Sequence, residues 1–149
     1  MTDDSRKEKL SRYLISLDRL KLKCRDAERW ESLSLGPSGG IRVRSGGGQP
    51  DEIKEMAIQA RQECEQQAVE VRTLRREMDQ AFACMTTDRL RILLECKYME
   101  GLGDQELCER QHFCDRHMRR LMTQAIHELD QCSAYFAESG PERSSNVRE

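Results

Sequence analysis

The sequence predicts an all-α fold: a long N-terminal helical hairpin of coiled-coil type over residues 5–85, then a small helical module over 86–136. Three observations predict it. Charged residues make up 35% of the 149 residues and aromatics only 5%, at a mean hydropathy of -0.81. That composition suits long charged helices with narrow apolar seams better than one large core. Two long segments place apolar residues at alternating steps of three and four, the rhythm of a coiled coil. A glycine-rich stretch separates these segments, and several short helical patterns follow them.

The first helix carries its seam at Leu10, Tyr13, Leu17, Leu20, Cys24 and Ala27. The pattern stops near Trp30, which is expected to pack close to the loop. "SLSLGPSGGIRVRSGGGQP", residues 32–50, holds most of the nine glycines and two of the three prolines. Such sequence predicts a flexible loop at the hairpin tip. Pro50 and Asp51 then open the second helix, since proline suits the first helical position and early acids suit the positive helix end. Its seam runs Ile53, Ala57, Ala60, Cys64, Gln67, Val71, Leu74, Met78, Ala81 and Met85. A helix over 51–85 is roughly 50 Å long, and one narrow stripe does not hold it alone. Antiparallel pairing within the chain buries both seams at high effective concentration. Self-association of two chains through the same seams competes with it without excluding it, so a homodimer is a candidate assembly.

"MTTDRL" breaks the rhythm. Thr87 is expected to cap a third helix, with Asp88 in its first turn. That helix is apolar at Leu90, Leu93, Leu94 and Tyr98, and Gly101 is expected to end it. Two further helical patterns follow, "DQELCER" from Asp104 and a longer one from about Cys114 to Leu129, with only "QHF" between them. A short helix, a tight turn and a second helix make up the DNA-reading helix-turn-helix plan. Leu107 is expected in the small core, Cys108 at a close approach to the last helix, and Phe113 in the turn. Met118, Leu121, Met122, Ala125 and Leu129 form one buried stripe of the last helix. Arg116, Arg119, Arg120, Thr123 and His127 fall on its opposite face, where guanidinium groups suit both phosphates and base edges. Residues 137–149, "AESGPERSSNVRE", are polar and predict a disordered tail.

Net charge is -2, so nucleic-acid binding has to come from a local patch rather than the whole chain. Residues 114–126 supply one, with three arginines against one aspartate. The seven cysteines form no CxxC pair, no signal-peptide pattern opens the sequence, and no apolar run reaches membrane-spanning length. These features lead us to expect a cytoplasmic, reduced protein without membrane association. Cys24 and Cys64 fall on the two seams and read as small buried apolar residues, as do Cys84 and Cys96. Cys108, His112, Cys114 and His117 have no standard zinc spacing, so no metal is expected. "SGGG" lacks the strand and the Lys-Ser/Thr of a phosphate loop. With no nucleophile motif and no cofactor motif, an enzyme is not expected.

"DRLRILLECKYMEGLGDQELCERQHFCDRHMRRLMTQAIHEL" resembles region 4 of bacterial sigma factors, the module that reads the -35 promoter element. It is more similar still to small phage and prophage proteins of Gram-positive bacteria, which include the ArpU-type and RinA-type late-transcription regulators. Those proteins carry a sigma region-4-like helix-turn-helix behind a long helical half with a Gly/Ser/Pro-rich interruption. The matching stretches are "YMEGL", "DQELCER" and above all "DRHMRRL". The likeness in layout covers nearly the whole chain, and it is specific over Arg89 to Leu129. It implies that Asp115, Arg116, His117, Arg119 and Arg120 belong to a recognition helix. It also implies double-stranded DNA as the ligand, and host RNA polymerase or its sigma factor as candidate protein partners. The sequence departs from the pattern at Gly103 and Cys114, which replace capping Ser or Thr, and at Gln111-His112, which replaces Leu-Gly. Glu106 and Glu109 on the preceding helix oppose close phosphate approach. The competing expectation is a coiled-coil interaction protein or a phage packaging-type scaffold without specific promoter binding.

Overall fold

A computed structural model describes residues 2–35 and 50–137. The chain is all-helical, with no strand among the described residues. Five helices follow in order: α1 (Asp3–Leu35), α2 (Pro50–Phe82), α3 (Asp88–Tyr98), α4 (Asp104–Gln111) and α5 (Asp115–Cys132). Helix α1 continues through Ser32–Leu35, which the sequence places in the loop. The reason is local: the first helix breakers are Gly36 and Pro37, and the Ser34 hydroxyl donates to the Glu31 carbonyl at 2.9 Å. The rest of the expected loop, 36–49, and the tail from 138 lie outside the described residues. Pro50 opens α2 as expected.

The chain divides into two compact units, Ile15–Arg72 and Met1–Leu14 with Thr73–Glu149.

Within Ile15–Arg72, α1 and α2 run antiparallel. Ser16 meets Gln67 and Glu70, Cys24 meets Cys64, and Glu31 meets Arg61. Ala27, Ala60 and Cys64 form a small buried cluster, with Leu20, Cys24 and Trp30 packed against it. A polar layer interrupts this seam. Gln67 Nε2 donates to Ser16 Oγ at 2.6 Å and to the Ser16 carbonyl at 3.3 Å, and Ser16 Oγ donates to Glu70 Oε2 at 3.0 Å. Ser16 and Gln67 are both buried. Such a satisfied pair penalises any slip that would leave one partner unmatched.

In the other unit, α3, α4 and α5 pack on one another. Their core combines Leu90, Leu93, Leu94, Tyr98 and Leu107 with the buried stripe of α5. Met78, Ala81 and Phe82 at the end of α2 and Met85 just past it are also buried, as are Leu10 and Tyr13 of α1. The first turns of α1 hold the end of α5: Arg6 Nη2 lies 2.8 Å from Asp130 Oδ2, and Lys9 Nζ donates to the Tyr135 carbonyl at 2.6 Å. Tyr135 and Phe136, just past α5, are buried. These contacts explain why residues before Ile15 join the C-terminal helices.

Cys84 departs from its expected burial. It lies two residues past the end of α2 and is exposed, while Cys64 and Cys96 are buried and Cys24 is half-buried.

Candidate nucleic-acid interface

The segment Thr86–Leu129 is built by local devices that the sequence only partly displays. Thr87 precedes α3 but makes no side-chain cap. Glu128 of α5 replaces it. Its Oε2 accepts the Thr86 N–H at 2.8 Å, the Thr87 N–H at 3.2 Å and the Thr86 hydroxyl at 3.2 Å. Partial burial pushes the Glu128 carboxyl up, but these donors together outweigh it and hold the group below its ordinary range. One carboxylate thus ties the start of α3 to α5, at a helix end that favours negative charge.

Helix α3 ends at Tyr98, and Gly101 reverses the chain at φ 85°, where L side chains rarely sit. Burial, helped by nearby Asp104, pushes the Tyr98 hydroxyl up to about 12. Gly103 has no side chain to cap α4, but Glu106 Oε1 accepts the Gly103 N–H at 3.0 Å. Lys97 Nζ reaches Asp104 at 2.8 Å, and Arg110 reaches Glu100 at 3.3 Å. Only Leu107 of α4 is fully buried. Cys108 is half-buried, and burial pushes its thiol up.

The turn between α4 and α5 is sharp. His112 takes the left-handed conformation, φ 62° and ψ 42°, at the position where the resembled pattern has glycine. Its neighbour Phe113 donates its N–H to the Cys108 carbonyl at 3.0 Å. The Phe113 ring is half-buried, with the Arg89 guanidinium 5.6 Å from its centroid on one side. The His117 ring stands edge-on to it at 4.8 Å. Cys114 starts α5 without a side-chain cap, as its thiol predicts.

Helix α5 buries Met118, Leu121, Met122, Ala125, Ile126 and Leu129. Ile126 was not on the expected stripe, although steps of four from Met118 through Met122 lead to it. The opposite face is open: Asp115, Arg116, Arg119, Arg120, Thr123 and His127 are all exposed. His117 is half-buried against Phe113, so its ring is partly occupied by the turn. Arg119 Nη2 pairs with Asp115 Oδ2 at 2.9 Å, and the Thr123 hydroxyl donates to the Arg119 carbonyl at 3.1 Å. Among the described residues, Arg116 and Arg120 are in no ion pair. They stand one helical turn apart on one face. A pair of unengaged guanidinium groups at this spacing can take two oxyanions, or one oxyanion and a base edge.

No family model, curated protein or solved structure matches this chain. The residues themselves therefore carry the functional reading. Among the described residues no group of three or more His, Cys, Asp or Glu is placed to hold a metal ion, and no helix is long and apolar enough to cross a membrane.

Proposed function

We propose that this chain is a sequence-specific DNA-binding transcription regulator of phage or prophage type. In this reading α4, the turn at His112 and α5 form a sigma region-4-like helix-turn-helix, with α5 as the recognition helix. Helices α1 and α2 form a coiled-coil hairpin that positions the module or pairs two copies of it. Arg116 and Arg120 read phosphate or base edges, Arg119 joins them by exchanging Asp115 for DNA, and Thr123 extends the same face. His117 positions the turn through Phe113 as much as it faces a ligand. Host RNA polymerase or its sigma factor is the protein partner in the cytoplasm, and the reaction scheme needs no cofactor and no catalytic group.

The observation that supports this reading is the division of α5. Six apolar side chains are buried, while Arg116, Arg119 and Arg120 stand exposed in the first two turns. The test is a mobility-shift assay on duplexes from the chain's own genomic neighbourhood, with wild type and the Arg116→Ala/Arg120→Ala double variant. Weaker binding by the double variant is expected. If both groups meet phosphates, the slope of log K against log salt becomes shallower by roughly 2. Equal binding by both proteins removes the recognition-helix assignment, and no binding by wild type removes the DNA reading.

A second reading has its own support. Ile15, Leu22, Leu33, Met56, Ile58 and Val69 are exposed in the unit Ile15–Arg72. In this reading the chain is a coiled-coil interaction protein or packaging-type scaffold, and the unit Ile15–Arg72 docks a protein. Partner capture that survives the arginine substitutions, in a chain without DNA binding, favours it.

A further inference from the structure

Two of the seven cysteines face each other inside the unit Ile15–Arg72. Cys24 Sγ of α1 lies 2.7 Å from Cys64 Sγ of α2, and both are free thiols. Cys64 belongs to the buried cluster with Ala27 and Ala60, and Cys24 packs against that cluster beside Leu20 and Trp30. Cys24 is half-buried and reachable, whereas Cys64 is only 4% exposed. Arg61 Nη1 lies 3.8 Å from Cys64 Sγ, and its other nitrogens fork onto Glu31 at 2.8 Å. The arginine is therefore held beside the sulfur as a fixed positive charge.

We propose that Cys24 and Cys64 are an oxidation site, converted by hydroperoxides into a reversible intramolecular disulfide. The thiol contact with Cys24, then burial, raises the Cys64 pKa above the ordinary thiol value, so Cys64 stays protonated until its partner has reacted. The more accessible Cys24 reacts first. Its thiolate attacks one peroxide oxygen, an S–O bond forms and the O–O bond breaks. The departing hydroxide takes up the thiol proton as water, leaving a sulfenic acid. Cys64 then attacks the Cys24 sulfur. The S–S bond forms, the S–O bond breaks, and the hydroxyl leaves as water with the Cys64 proton. Two thiols lose two electrons in total, and hydrogen peroxide becomes two waters. Arg61 offsets the negative charge that Cys64 carries once its proton has left and before it attacks. The sulfurs need to close by less than an ångström to reach the roughly 2.05 Å of a bond. The link spans a sequence separation of 40 residues and restricts the unfolded chain accordingly.

The test uses the reduced full chain and equimolar hydrogen peroxide near neutral pH. Titratable thiols are expected to fall from seven to five, 7 − 2. Intact mass falls by two hydrogens, and non-reducing peptide maps join Cys24 to Cys64. The oxidised protein melts roughly 10 °C higher, and dithiothreitol reverses every change. Cys24→Ala and Cys64→Ala each lose the linked peptide and the melting shift. The wild-type map decides the question even where a variant folds poorly. Disulfide-linked dimers, first linkage between other cysteines such as Cys84 and Cys132, or over-oxidation of Cys24 without any S–S bond would each overturn the proposal.

Discussion

Helix α4 depends on one side chain, and Leu107→Ala measures that dependence. Leu107 is fully buried and is the only buried residue among the eight of α4. The rest of the helix is held by exposed or half-exposed links: Lys97 to Asp104, Arg110 to Glu100, and Glu106 to the Gly103 N–H. Exposed ion pairs of this kind contribute at most about 1 kcal/mol each. Truncating a fully buried leucine costs about 3 kcal/mol or more, from lost transfer free energy and the cavity left behind. Since α4 has no second apolar anchor, that loss should appear as local opening of α4 ahead of global unfolding. At 1.4 kcal/mol per factor of ten, the opening constant rises roughly 100-fold. Native-state hydrogen exchange reads it directly. Amides of Cys108 to Gln111 should exchange about 100 times faster in Leu107→Ala, while those around Ala125 and Leu129 change much less. Leu107→Met, which keeps the volume, should stay within about tenfold of wild type. An α4 that exchanges less than tenfold faster in Leu107→Ala would show that the helix is held otherwise and refute the reasoning.

Three further outcomes are expected. His112 holds a left-handed conformation, so His112→Gly should raise stability by about 0.5–1 kcal/mol, and His112→Val should lower it by about 1–2 kcal/mol, in urea titrations followed by circular dichroism. Cys114 begins α5 uncapped, so Cys114→Ser should stabilise by about 1 kcal/mol in the same assay, and no gain would mean that this helix end is satisfied otherwise. Glu128 is held below its ordinary value of 4.5, so its contribution is fully present above that pH and fades as pH falls through the lowered folded value. Glu128→Gln should therefore melt earlier than wild type near neutrality and converge with it in acid, and a constant gap across that range would count against the capping role.

Much of the helical layout was legible in the sequence because its signal repeats. Every α2 seam position from Ile53 to Met85 is buried or half-buried. The α5 stripe from Met118 to Leu129 is buried, and the opposing face is exposed as read. Where the reading failed, the cause was usually a contact from elsewhere or a turn without a strong residue signal. Cys84 lies past the end of α2 and between the buried seam positions Ala81 and Met85, so its side chain is exposed. The left-handed turn hid behind a histidine, which carries no such preference as strongly as glycine does.

The sequence by itself determined the helices, their breaks and the faces they bury, since a period of 3.6 residues is written into each segment independently. Tertiary structure alone decided which segments meet. Arg6 and Lys9 hold Asp130 and Tyr135 across more than 120 residues. Glu128 caps a helix 41 and 42 positions earlier in the chain. Cys24 finds Cys64 across 40. The physical reason is that a repeat specifies which side of a helix is apolar, whereas partners come from the way several such sides close over one another while leaving no buried polar group unmatched.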